Sequence, residues 1–159
     1  MPLYFAYCAN MDVAAMAKRC PKSEALGLAR LPRHRWIISS DGYANVIRDP
    51  RTDVHGMLWM LALSDIPTLD RFEDVPKLYS KVLQPVITAN GIRRALVYVG
   101  RSFETGRPRP GYLNDVVRAA ESAGLPGPQI IAMKRYGEMR AAYAPPTTAT
   151  SQQKWQWTP

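Results

Sequence analysis

A chain of 159 residues with 47% hydrophobic and 21% charged content is ordinary for a globular protein and long enough to bury the core of one domain. No run approaches the ~18 apolar residues of a membrane span, and two cysteines, Cys8 and Cys20, are too few for a disulfide framework. The net charge of +8, from 21 Lys and Arg against 13 Asp and Glu, is scattered along the chain without a basic stripe, which argues for a solvated surface and against a nucleic-acid or membrane partner.

In chain order, Met1-Pro2-Leu3-Tyr4 has no basic region leading into an apolar stretch, so it does not read as a secretory signal, and a reducing cytoplasm is expected. Leu3 to Ala6 predicts an opening strand, and Tyr7-Cys8-Ala9-Asn10 a loop. A helix from about Met11 to Arg19 follows, stopped by Pro21. Leu26–Leu31 and Trp36–Ser39 read as two arms of a strand pair with Pro32 in their connection. Ala44–Ile47 reads as a short strand broken by Asp49-Pro50. The nearly continuous apolar run Val54–Leu63 suits a strand buried on both faces.

Ser64–Glu73 predicts a short helix, with Ser64 as its cap and Pro67 in the tolerant first turn. Beyond it, Leu78–Ala89 and Ile92–Val99 flank Asn90-Gly91, a hairpin signal that predicts a type I′ turn. Tyr112–Ala123 predicts a helix stopped by Gly124 and Pro126. A last helix is expected from about Gln129 to Ala142. The domain is thus expected over 1–144, with a Pro/Thr/Gln-rich tail at 145–159 that carries Trp155 and Trp157. The order predicts an α+β fold built on a small mixed or antiparallel curved sheet or barrel with flanking short helices.

Glu73 stands out in this pattern. At about 100° per residue, Ile66, Leu69 and Glu73 point the same way, so a carboxylate sits on the core-facing stripe of its helix. Such a group must be paired, neutralised or put to use. Two readings stand: a structural Glu held by backbone or Arg, or frayed into water, and a working acid/base.

Other chemistry finds less support. Cys8, Cys20, His34 and His55 have no metal-ligand spacing. P-loop, G-x-G-x-x-G and G-x-S-x-G motifs are absent. Cys8, between a strand and a helix, is either a small apolar filler or a thiol whose ionised form the helix start favours. The N–H groups of the same loop suit a carboxylate or a developing oxyanion. Gly106–Leu113, with Arg107, Arg109 and Tyr112, is either punctuation before a helix or an anion-binding loop. Tyr79 is by default a packed strand residue.

Taken together, Leu3–Met11, Gly42–Val46, Val54–Trp59, Leu69–Val75 and Pro110–Leu113 resemble, in order, the signature segments of the gamma-glutamylcyclotransferase-like family. The resemblance implies a mixed barrel with a pocket, often dimeric, using no metal or cofactor. It implies release of 5-oxoproline from a gamma-glutamyl amine or peptide, with Glu73 as the acid/base. Substrate contacts would come from Tyr7, Cys8, Ala9, Asn10, Tyr79 and Tyr112. One departure is plain: the family's Tyr-Gly-Ser-Asn loop is here Tyr7-Cys8-Ala9-Asn10. The alternative expectation is therefore a non-catalytic small-molecule binding module on the same fold.

Overall fold

The computed structural model describes residues 1–142, the side chains of 139–142 excepted. The tail at 145–159, with Trp155 and Trp157, lies outside them. Strands β1 (Leu3–Ala6), β2 (Glu24–Ile38), β3 (Ala44–Met60), β4 (Tyr79–Thr88) and β5 (Gly91–Gly100) close into a barrel in the order β1-β3-β2-β4-β5. Closure comes from the parallel contact of β1 with β5 at Tyr4 and Leu96. Helices α1 (Val13–Arg19), α2 (Ile66–Phe72), α3 (Tyr112–Ala123) and α4 (Gly127–Ala142) surround it, with 3-10 turns at Ala9–Met11 and Leu63–Asp65. The architecture is the expected α+β barrel.

Val54, Met57, Leu58, Trp59 and Leu61 are all buried, as the apolar run required, although the strand ends at Met60. At Gly56 the neighbouring strand comes so close that a β-carbon would meet the Ala6 carbonyl oxygen at 2.2 Å and the Phe5 ring at 2.8 Å. Glycine is needed there because backbone passes where a side chain would stand.

Two expectations about strands are corrected. The segments on either side of Pro32 form one strand, and so do those on either side of Asp49-Pro50. Pairing jumps from His34–Arg48 to Pro32–Asp53, so the prolines fall in a bulge that lengthens β3 against β2. Proline at a bulge loses no ladder hydrogen bond. Side chains fill the gap: Arg33 N–H, at φ 58°, donates to Asp53 (3.1 Å), and Thr52 Oγ1 donates to the His34 carbonyl (2.8 Å).

The β4–β5 hairpin is present, but not as a type I′ turn. Thr88 pairs with Gly91 across Ala89-Asn90, and the positive φ, +99°, falls on Gly91 rather than Asn90. This is the geometry of a type I turn followed by a glycine bulge. Capping also differs from expectation. Asp12 caps α1 by accepting from Ala15 N–H at 2.9 Å, so that helix starts at Val13. Asp65, not Ser64, holds the position before α2. Its buried carboxylate turns away from the helix to accept from Ser23 Oγ (2.8 Å) and Lys22 N–H (3.0 Å), tying α2 to the start of β2.

Candidate functional site

The end of α2 decides where the acid lies. Glu73 N–H still reaches the Leu69 carbonyl at 3.0 Å, so the helical phase carries one residue past Phe72. Asp74 then turns left-handed, at φ 51°. Its N–H bonds to the Arg71 carbonyl (3.2 Å), and that of Val75 to the Asp70 carbonyl (3.0 Å). This reciprocal pair is the Schellman stop. It fixes Glu73 as the C-cap, on the inward face with Leu69, and only 6% exposed. An aspartate pays a steric penalty in that left-handed position that glycine does not. Asp74→Gly is therefore expected to raise stability by about 0.5–1 kcal/mol, read as a small rise in the midpoint of thermal unfolding.

Glu73 meets the Tyr7–Asn10 loop directly. Asn10 Nδ2 donates to Glu73 Oε1 at 3.0 Å and lies 3.1 Å from the Tyr4 hydroxyl. Asn10 Oδ1 in turn accepts from Arg19. Burial pushes the carboxyl of Glu73 up to about 7; the Arg19 charge, and hydrogen bonds from Tyr4 and Asn10, pull against that rise without cancelling it. Of the readings open from sequence, fraying into water is excluded. The side chain is enclosed, and no ion pair is formed with it among the described residues. At neutral pH it is divided between acid and carboxylate, the condition for a group that both takes and gives protons.

The loop is pinned from behind by two tryptophans that sequence reasoning assigned only to strands. Trp36 Nε1 donates to the Tyr7 carbonyl (2.9 Å) and Trp59 Nε1 to the Asn10 carbonyl (3.0 Å). The Cys8 and Ala9 carbonyls accept from Met11 N–H (3.0 Å) and Asp12 N–H (3.2 Å). All four carbonyls of the loop are thus engaged, and the N–H groups of Ala9 and Asn10 lie close enough to the Cys8 sulfur to favour its ionised form. Trp59→Phe leaves the buried Asn10 carbonyl without its donor. A loss of about 1–3 kcal/mol is expected, measurable by denaturant unfolding.

Of the two readings open for Cys8, the structure favours the buried apolar filler over the thiolate. Burial, with the Glu73 charge adding to it, pushes its thiol up to about 12, against the N–H groups of Ala9 and Asn10 and the Tyr112 hydroxyl. The turn that follows is three residues long. Its few N–H groups are outweighed by desolvation, so the thiol is protonated at neutral pH.

Tyr79 and Tyr112 meet at the backbone of Ala44. Tyr79 Oη donates to the Ala44 carbonyl (2.6 Å), while Tyr112 Oη accepts from Ala44 N–H (3.1 Å). The Tyr112 ring meets Tyr43 edge-on, with centroids 5.3 Å apart. Tyr7 Oη bonds to the Tyr98 carbonyl. Burial raises all three phenols above their ordinary range, with the Glu73 charge also opposing their ionisation. Tyr7, Cys8, Asn10, Glu73, Tyr79 and Tyr112 are thus close enough to act on one another. Ala9, half-buried, lies on the outer side, lining a separate cavity of about 370 Å³ with Asp12, Ala15, Asp115 and Arg118.

The Gly106–Leu113 loop is docked on the β2–β3 turn. Arg109 Nε donates to the Asp41 carbonyl at 3.0 Å, and its guanidinium stacks on Tyr43. Of the two histidines, His34 Nδ1 lies 2.8 Å from the Pro32 carbonyl, and His55 is bound through its backbone to Gln129. No group of three or more His, Cys, Asp and Glu suited to a metal occurs among the described residues. None of their helices is long and apolar enough to cross a membrane. Tyr4 and Arg19, both touching Asn10, and Trp36 and Trp59 are the site residues that sequence reasoning missed.

A closed five-stranded barrel that encloses a carboxylate against the loop following its first strand is the class of fold defined here. A family model described as the AIG2-like family matches residues 53–130, a span that includes Glu73, Tyr79 and Tyr112. The gamma-glutamylcyclotransferase of Homo sapiens is 26% identical over 136 residues, covering 78% of this chain and 72% of that protein. That of Mus musculus is 27% identical over 139 residues, with the same coverage. Among solved structures, a gamma-glutamyl cyclotransferase superposes with a TM-score of 0.75 at 23% identity, covering 97% of this chain and 94% of that one. YkqA from Bacillus subtilis gives 0.73 at 22% identity, covering 86% of this chain and 54% of its own. In sequence and fold the chain is similar to the gamma-glutamylcyclotransferases and to the AIG2-like family.

Proposed function

We propose that this protein releases 5-oxoproline from a small gamma-glutamyl amine or peptide in the cytoplasm, with Glu73 as the only acid/base and no cofactor. The observation that carries the reading is the enclosed Glu73 carboxyl, held near pH 7 by burial beside the Tyr7–Asn10 loop. In the reaction, the substrate α-nitrogen attacks the γ-carbonyl carbon and loses a proton to ionised Glu73. The new carbon–nitrogen bond closes the ring. Glu73 then returns the proton to the departing nitrogen as the old carbon–nitrogen bond breaks, and the enzyme ends as it began. Holding the α-amine against the γ-carbonyl supplies the advantage of proximity, and the proton relay is typically worth ~10²–10⁴-fold.

The test is 5-oxoproline release by the purified chain from a panel of gamma-glutamyl amines and peptides. Activity is expected in the native protein, with a loss of ~10²–10⁴-fold in Glu73→Gln. Equal activity in that variant overturns the mechanism. Because Glu73 must be ionised to accept the first proton, activity is expected to fall on the acid side of about pH 7.

A second reading is favoured by one observation. The N–H groups of Ala9 and Asn10, the natural donors for a substrate oxygen, lie close to the sulfur of Cys8. A binding module without turnover, on the same fold, accommodates that arrangement. It predicts that gamma-glutamyl compounds raise the unfolding temperature while no 5-oxoproline is formed.

A further inference from the structure

Arg19, the last residue of α1, has two contacts that meet at one point. Its guanidinium donates to Asn10 Oδ1, and its central carbon lies 3.4 Å from the centre of the Phe72 ring. Asn10 uses its other end on the Glu73 carboxyl and the Tyr4 hydroxyl, and Phe72 is the chain neighbour of Glu73. One cation therefore grips both the residue before the acid and the amide that holds it.

The two ends of an amide are alike in shape but opposite in function, NH₂ donating and oxygen accepting. Turned about, Asn10 would set its oxygen against a carboxylate oxygen. A guanidinium has donors alone, so it accepts Asn10 only with the oxygen toward itself. We infer that Arg19 is a positioning residue for Glu73: acting through Asn10, it fixes the amide with its N–H groups toward the acid, which favours the ionised form. The catalytic meaning of this role rests on the proposed cyclisation; the geometry does not.

The groups that face Glu73 from the surrounding elements are Tyr4 on β1, Tyr7 and Cys8 in the loop, Tyr79 on β4, Tyr98 on β5 and Tyr112 on α3. Burial keeps all of them neutral at physiological pH. Arg19 is the cation among the described residues that acts on the carboxyl. If its role were only to stack on Phe72 and close the helix, replacing it would lower stability and leave the acid unmoved.

The experiment follows the carboxyl carbon of Glu73 by NMR in the full chain labelled with ¹³C-glutamate, the resonance being identified by its loss in Glu73→Gln. Arg19→Met is expected to raise the titration midpoint by about one pH unit or more, with Arg19→Lys restoring part of the difference. Arg19→Gln, which keeps polarity without charge, is expected to follow Arg19→Met and provides the reading if that variant does not fold. In an Asn10→Ala background the direct field of Arg19 remains, so the same Arg19 replacement is expected to move the midpoint less, by the part that Asn10 relays. An unmoved midpoint in the Arg19 variants overturns the inference. So does an equal displacement with and without the Asn10 side chain, which would leave only a direct field. The readout needs no turnover, so absence of 5-oxoproline release would count against the proposed function alone.

Discussion

Replacing Glu73 with Gln is expected to abolish most turnover and, above pH 7, to make the protein more stable than the native chain. The sign follows from the direction of the shift. In the folded protein burial raises the carboxyl from its ordinary 4.5 to about 7, so the unfolded chain gives up this proton first. The contribution of protonated Glu73 is fully present below about pH 4.5, is lost as pH rises through 7, and changes little beyond. The difference between the two limits is about 3 kcal/mol. Gln cannot ionise and escapes that loss, while its carbonyl oxygen still accepts from Asn10. Its NH₂ group needs an acceptor that the carboxyl did not, so the net gain at pH 8 is expected to be about 1–3 kcal/mol. For a chain of this size that corresponds to a rise of roughly 5 °C in unfolding temperature, which vanishes as pH falls toward 4.5, where the NH₂ group's cost leaves the variant no more stable than the native chain. A variant less active and more stable is the signature of a buried ionisable group kept for function. Equal pH dependence in both proteins would contradict the assignment.

Gly56→Ala is expected to have the largest effect of any single methyl addition near the site. Its β-carbon would stand 2.2 Å from the Ala6 carbonyl and 2.8 Å from the Phe5 ring. The closer obstacle is backbone, so no side-chain rotation relieves it. β1 must move away from β3, and β1 is the strand that carries Tyr4 and delivers the Tyr7–Asn10 loop to Glu73. Overpacking of this kind costs about 3 kcal/mol, a fall of roughly 6–12 °C. Because the loop moves with β1, a weakened Asn10–Glu73 contact is expected as well, seen as displacement of the Glu73 titration. Thermal unfolding of Gly56→Ala beside the native chain checks the first effect. Unchanged stability would mean that β1 is not packed as described.

The inward face of Glu73 was legible in the sequence because it depends on helical phase, and phase survives even though α2 ends one residue early. The left-handed stop at Asp74 was not, since an Asp-Val-Pro stretch has no glycine to announce it. β1, the β4–β5 pairing, α3 and the core strand through Trp59 were legible as local patterns. β2 and β3 were not seen as whole strands. Pro32 and Pro50 break a strand by local rules, but here the bulge between facing strands absorbs both. The turn at Asn90-Gly91 was placed correctly and typed wrongly, because the sequence marks the glycine without saying which register the ladder will take.

Within the candidate site, the sequence named most of the polar side chains that the fold brings together and missed those that hold them. Trp36 and Trp59 left a usable signal: a buried indole N–H needs an acceptor, and two tryptophans on paired strands implied two carbonyls to be held. Tyr4 and Arg19 left none, because their partner Asn10 is reached only once β1, α1 and α2 have come together. At Cys8 the apolar-filler reading holds over the thiolate for a physical reason of its own. A short turn offers little field, and desolvation outweighs it.

The most direct test is the titration of the Glu73 carboxyl carbon by NMR in the unmodified chain. A midpoint near pH 7 is the result required of a proton shuttle buried beside the Tyr7–Asn10 loop. A midpoint in the ordinary glutamate range, about 4.3, would mean that water reaches this carboxylate freely and that its role as acid and base is mistaken.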